Sequence, residues 1–270
     1  MRSVTITALL LALFAAGCSS TAEKKVEDQP VEVLYNKAAA AMDAKEYRQA
    51  AQLFGEVERQ HPYSEWATRA ELMSAFASYQ AGQYDEAIIG LDRYIELHPG
   101  SKDIDYALYL KSLCYYEQIS DVARDQMMTR EALNGFDTLI NRYPDSNYSR
   151  DATLKRDLTL DHLAGKEMEI GRYYLNRNQV NAAINRFRTV IKDYQTTTHV
   201  PEALHRLVEA YLTLGLKDQA YKAAAVLGYN YPGSSWYEDS YKLMDPEQRQ
   251  RLKDEQSFID RTVNSLLKPD

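Results

Sequence analysis

Few side chains in this 270-residue chain are suited to attacking a bond or holding a metal. The candidates are two cysteines, Cys18 and Cys114, and five histidines, His61, His98, His162, His199 and His205. A thiolate is a nucleophile, and paired imidazoles ligate zinc. No two of these histidines stand four apart on a helix, the spacing that aims both at one ion. No P-loop or dinucleotide-binding glycine pattern occurs. Ser19-Ser20 lies in a polar stretch, not in a strand-to-helix elbow. Cys114 sits within the apolar run Leu110–Tyr116 and reads as a small buried hydrophobe. The sequence thus calls for no catalytic residue, no metal and no cofactor, and the expectation is not an enzyme. The group with covalent chemistry left to do is Cys18.

Cys18 is placed by what precedes it. Arg2 gives a positive start, and Val4–Ala16 is an apolar run of thirteen residues, short for a bilayer span. Ala15-Ala16-Gly17 supplies small residues before a cut, the layout of a secretory signal over residues 1–17. With Cys18 next, the segment resembles a bacterial lipobox, whose thiol receives diacylglycerol and becomes the new N-terminus. The usual residue three before such a cysteine is leucine, and here it is Ala15. The competing reading is an ordinary signal followed by a stray cysteine. Each buried methylene contributes roughly 0.8 kcal/mol, so two or more palmitate-like chains anchor stably where one does not. Ser19, not aspartate, follows the cysteine, which in similar proteins means sorting to the outer membrane. Residues 18–30 then form the lipidated end and a polar tether. Its twelve residues Ser19–Pro30 span roughly 20 Å if flexible, which keeps the folded part beside the membrane, in the periplasm.

The rest of the chain is a repeat. Tyr84, Ala87, Leu91, Tyr94 and Leu97 recur every three or four residues, one face of a helix, and Pro99 stops it. The unit recurs five times: Ala50, Ala87, Ala132, Ala183 and Ala220 begin it, then Phe54, Leu91, Phe136, Phe187 and Ala224, then Val57, Tyr94, Leu139, Val190 and Leu227. Pro62, Pro99, Pro144 and Pro232 close four copies, and Gln195 stands in the fifth place. Ser64, Ser101, Ser146, Ser234 and Thr197 follow two residues on, where a hydroxyl can cap the next helix. Ala38, Ala75, Gly171 and Val208 lie twelve residues before their repeat alanines and let paired helices approach. This pattern resembles the tetratricopeptide repeat. It predicts an all-α protein, a right-handed α-solenoid of five helix pairs with a C-terminal capping helix.

Two copies are irregular. Ser112 to Ala132 is eight residues longer than the twelve seen elsewhere, which predicts a loop at 119–126. Ala132 to Ala183 is fourteen residues longer than the usual 37, nearly four helical turns. A single helix at Asp151–Asn176 follows, with Ala152, Leu158, Leu163, Ile170 and Tyr174 on its buried face. It separates repeats one to three (31–148) from repeats four and five (149–243). Asp245-Pro246-Glu247 starts a last helix within 244–270, with Leu252, Ile259, Val263 and Leu266 as one apolar stripe. That helix reads as a cap, with a partner-binding helix as the alternative.

A net charge of −7 argues against nucleic acid as a partner. First helices of such repeats line a concave face. Tyr35 and Met42, Phe76 and Tyr79, and Tyr109 and Tyr116 are spaced to point into it and to hold an extended peptide with an aromatic end. The same side chains can instead pack one repeat on the next, as most of the 21 tyrosines must.

The lipobox, the tether, the repeats, the 121–126 segment Asp-Val-Ala-Arg-Asp-Gln, the run Gly-Lys-Glu-Met-Glu-Ile-Gly-Arg-Tyr-Tyr at 165–174 and the run Thr-Thr-Thr-His-Val-Pro-Glu-Ala-Leu-His-Arg-Leu-Val-Glu-Ala-Tyr-Leu-Thr-Leu-Gly-Leu at 196–216 together resemble the BamD family. These are lipoproteins of the β-barrel assembly machine of the bacterial outer membrane. The resemblance runs from Cys18 to about Leu243. It implies a non-catalytic subunit that faces the periplasm beside other assembly-machine lipoproteins. Its C-terminal half would scaffold the POTRA domains of BamA, the barrel-forming subunit. Its N-terminal half would engage the C-termini of unfolded outer-membrane proteins. Arg186 matches an arginine associated with the BamA contact; otherwise it is a solvated helix charge. The runner-up is a tetratricopeptide lipoprotein that pilots secretins, which needs neither the insert nor the 196–216 run. A cell-wall enzyme or its activator would need a catalytic carboxylate or cysteine in a cleft, and none can be nominated.

Overall fold

The computed structural model describes residues 28–254. The signal sequence, Cys18 and most of the tether lie outside the described residues, as do Ile259, Val263 and Leu266. Among the described residues there are eleven helices and no strand. They are α1 (Val31–Asp43), α2 (Tyr47–Gln60), α3 (Glu65–Gln80), α4 (Tyr84–Leu97), α5 (Ile104–Tyr116), α6 (Met127–Arg142), α7 (Ser149–Asn176), α8 (Val180–Asp193), α9 (Val200–Thr213), α10 (Lys217–Asn230) and α11 (Ser235–Leu243). A further helical stretch occupies 246–254. Each helix packs on the next, and α1, α3, α5 and α7 also touch in succession. The result is an all-α solenoid of five helix pairs.

The repeat residues form its spine. The five alanines, the five residues four positions on and the five three further on are all buried, none more than 1% exposed. The small first-helix residues do what their size allows. A Cβ at Gly171 would lie 2.4 Å from the Phe187 ring, so only glycine admits that ring. Lys45, Gly82, Asn178 and Gly215 occupy the same place in four inter-helix turns, and all have positive φ, from 57° to 74°. Glycine adopts this conformation without steric cost. Lys45 and Asn178 hold it because the turn around them demands it.

The ends of the second helices are equally regular. His61, His98, Tyr143 and Tyr231 precede the four prolines and leave the helix near φ −130° and ψ 55°. Tyr194 precedes Gln195 and adopts φ −130°, ψ 45°. The stop therefore belongs to the turn, and proline suits it without being required.

Two expectations need correction. Only Ser64 and Ser234 are helix N-caps, accepting from the amides of Ala67 and Trp236. Ser101 and Ser146 accept from Asp103 and Tyr148, one residue before the helix proper, and Thr197 donates to the Tyr194 carbonyl. Leu158 is 60% exposed, because at about 100° per residue it lies off the face of α7 that Ala152, Thr159 and Leu163 bury. The long helix has 28 residues and extends about 42 Å at 1.5 Å per residue.

Burial divides within α7. Ala152 joins a core with α3–α6, whereas Ala164 and Met168 join one with α8–α11; a third core lies around α1 and α2. Glu71, 5% exposed, is held by Arg93 Nε at 2.9 Å and His98 Nε2 at 3.1 Å, and Arg93 also pairs with Glu58. A buried carboxylate persists only with such partners. Cys114 is fully buried in mid-helix, and burial pushes its thiol up to about 12. It is a packing residue.

Candidate functional site

The first helices carry the aromatic residues, and the solenoid decides which of them meet. Phe76 and Tyr79, one turn apart on α3, face α5. Phe76 lies 6.4 Å from the Tyr106 ring, and Tyr79 lies 5.8 Å from Tyr84. Tyr106 and Tyr109 on α5 flank Tyr148, just before α7, at 5.2 and 5.0 Å. Tyr109 also donates to Asp151, which is held by Lys155 at 2.7 Å. Lys155 Nζ is 5.9 Å from the Tyr116 ring centroid. A continuous strip of half-buried rings thus runs from α3 to the start of α7, ending at an ion pair.

The strip's electrostatics follow from its burial. Desolvation pushes the hydroxyls of Tyr79 and Tyr106 up to about 12, with the Glu117 charge adding at Tyr79. Burial and then the Asp151 carboxylate raise Tyr109 further. These phenols stay protonated, as donors and flat apolar faces. The Lys155 and Tyr109 hydrogen bonds hold the Asp151 carboxyl below its usual range.

Of the five aromatics singled out in the sequence, the structure brings Phe76, Tyr79 and Tyr109 into this strip. Tyr116 borders it through Lys155 but packs edge-on against Phe136 of its own helix pair, at 6.0 Å. Tyr35 is separate, wedged between Phe54 at 5.3 Å and Trp66 at 4.8 Å, and Met42 belongs to the same first core. Sequence reasoning missed Tyr106, Tyr148 and Asp151. Tyr148 could have been found as the residue two after Ser146, where α7 begins.

Arg186 lies on α8, 41% exposed, with Nη1 3.0 Å from Oε2 of Glu167 on α7. An internal carboxylate therefore holds one edge of its guanidinium and leaves the rest of the fork toward solvent. Nearby on the first helices, an ionic network joins α7, α9 and α11. Arg172 binds Glu202 at 3.0 Å, Arg206 binds Glu209 at 2.7 Å, and buried His205 shares a hydrogen bond of 2.8 Å with Ser240. The His205 hydrogen bond, followed by Arg206, lowers the Glu209 carboxyl to about 2. Among the described residues no group of three or more His, Cys, Asp or Glu is placed to hold a metal. No helix among them is long and apolar enough to cross a membrane.

A family model described as "YfiO: Outer membrane lipoprotein" matches residues 27–227. The chain is 52% identical to the outer membrane protein assembly factor BamD of Caulobacter vibrioides, over 90% of this chain and 81% of that protein. It is 48% identical to BamD of Rickettsia prowazekii, over 87% of this chain and 94% of that one. It is 33% identical to BamD of Neisseria meningitidis serogroup A, over 91% and 97%.

Proposed function

Because this chain belongs to the BamD family of outer membrane lipoproteins, we propose that it is a non-catalytic scaffold subunit of the machine that assembles β-barrel proteins in the outer membrane. The observation that carries the reading is 52% identity to a named assembly factor across 90% of the chain. A solenoid suits the role. Its helices hold surfaces in fixed register without any group that makes or breaks bonds.

Cys18 is the lipid anchor and leaves the helices in the periplasm beside the membrane. Repeats one to three (31–148) form the substrate-facing half, and repeats four and five (149–243) the partner-facing half, with 244–270 as the terminal cap. The strip of Phe76, Tyr79, Tyr109 and their neighbours Tyr106 and Tyr148 receives the aromatic C-termini of unfolded outer-membrane proteins. Its flat, half-buried faces support this, since aromatic pairs add about 0.5–1.5 kcal/mol beyond area burial. Tyr116 serves mainly as a packing residue at its border, and Tyr35 as one in the separate first core. Arg186 contacts the POTRA domains of a BamA-like subunit through the part of its fork that Glu167 leaves open. Other assembly-machine lipoproteins bind elsewhere on the solenoid. No observation favours the secretin-piloting alternative.

Depletion of the protein in its own cells tests the role. The expected result is a fall in folded, heat-modifiable outer-membrane barrels, with unfolded forms accumulating in the periplasm. Unchanged barrel levels at full depletion contradict it.

A further inference from the structure

Helix α7 is the one helix among the described residues that packs extensively on both α1–α6 and α8–α11. A single helix is a poor angular constraint between two packed bodies, because each can rotate about it. The 119–126 insert supplies a second connection.

The insert is wound on itself around one side chain. Gln126, 4% exposed, donates through Nε2 to the carbonyls of Asp121 and Arg124 at 3.2 and 3.1 Å. Its Oε1 accepts from buried Thr129 at 2.8 Å. Asp121 Oδ1 accepts from the Ala123 amide at 2.7 Å. A loop closed by this many internal bonds has little freedom left, so its outer contacts are made at low entropic cost.

Those contacts converge on one turn of α7. Lys166 Nζ donates to the Ala123 carbonyl at 2.9 Å. Gly165, the residue before it, is buried. A Cβ there would lie 3.6 Å from Cγ1 of Val122 in the insert and 3.2 Å from Nε2 of His199, in the turn that opens α9. That turn is fastened to the same stretch of α7: Thr198 donates to Asp161 Oδ1 from its amide at 2.9 Å and its hydroxyl at 2.7 Å, and His199 Nε2 lies 3.5 Å from Oδ2. A Cβ at Gly165 would press on His199 and just touch Val122, so any side chain larger than a methyl would enter the space where the two segments meet the helix.

We propose that the 119–126 insert is an intramolecular strap, seated at Gly165 beside the Thr197–His199 turn, that fixes the angle between helices α1–α6 and helices α8–α11. The strap explains why an eight-residue insertion coincides with a four-turn helix extension. Lengthening α7 separates the two bodies, and the insert spans the gap. This inference is independent of which partners the protein has.

The test is a pair of spin labels on the full-length protein in detergent, at Glu96→Cys on α4 and Asn230→Cys on α10, both exposed positions. Pulsed dipolar spectroscopy reads the distance distribution between them. Gly165→Leu fills the seat and is expected to shift and broaden that distribution while helical content stays that of the parent. A second variant, Val122→Gly with Lys166→Met, removes the strap's contacts without adding bulk and is expected to broaden it too. Leu154→Ala, an exposed change on the same helix, is expected to leave it as in the parent. If either strap variant folds and keeps the parent distribution, the proposal is overturned.

Discussion

The Tyr109 ring stacks on the Tyr148 ring, with centroids 5.0 Å apart and planes 18° from parallel, while the Tyr109 hydroxyl donates to Asp151 in the first turn of α7. The third repeat is thereby fixed to the fourth by a stacked pair and a charge-assisted bond at one place. With Phe76 and Tyr79 adjoining, the strip presents rigid aromatic faces at its rim. Replacing Phe76 and Tyr79 by aspartate puts two carboxylates where an aromatic peptide end would rest. Fluorescence anisotropy with a labelled peptide ending in phenylalanine should show at least tenfold weaker binding, about 1.4 kcal/mol. A folded double variant that binds as tightly as the parent would remove the groove.

Arg186→Leu separates partner contact from folding. The Arg186–Glu167 pair is solvent-accessible on the arginine side, so it contributes at most about 1 kcal/mol to stability. The variant should stay folded with a melting temperature near that of the parent, yet retain much less POTRA-bearing partner on co-purification. Glu167→Gln leaves the guanidinium in place and should retain it. Equal recovery with Arg186→Leu contradicts the assignment.

Gly171 and Gly55 give opposite signs for the same substitution. At Gly171 a new Cβ meets the fully buried Phe187 ring at 2.4 Å. Overpacking of this kind costs about 1–3 kcal/mol. At Gly55, inside α2, a Cβ meets nothing within 4 Å, and alanine is the better helix former by about 0.8–1 kcal/mol. Thermal melts followed by circular dichroism should therefore show Gly171→Ala below the parent and Gly55→Ala level with it or above.

Glu209 makes stability depend on acid. Its carboxyl falls from an ordinary 4.5 to about 2 in the folded chain, through His205 first and then Arg206. A depressed acid stabilises the fold above its unfolded value and loses that contribution as pH falls through the folded value. Glu209→Gln should therefore unfold at lower denaturant than the parent at pH 7, with the gap closing between about pH 4.5 and pH 2. A gap that stays constant over this window contradicts the coupling.

How far the sequence could be read depended on what each feature rests on. The repeat positions from Ala50 to Leu227 were legible because burial repeats with the helix period. The long α7 was legible from phase, since fourteen added residues keep a helical face in register. Leu158 was misread because the six residues from Ala152 are not a whole number of turns, which puts it off the face that Ala152, Thr159 and Leu163 share. Lys45 and Asn178 carry no glycine signal for their left-handed turns, and only the repeat register reveals them. The aromatic strip was half legible. Spacing put Phe76, Tyr79 and Tyr109 on first helices, but Tyr148 joins them through the tertiary approach of α5 and α7. The internal Glu167 partner of Arg186 lies nineteen residues away on another helix, beyond any local pattern.

Affinity purification of the tagged protein from detergent-solubilised outer membrane, with mass spectrometry of what accompanies it, tests the assembly role most directly. The account predicts a POTRA-bearing barrel protein in near-equal amount. A secretin in its place, or no barrel-forming partner at all, would contradict it.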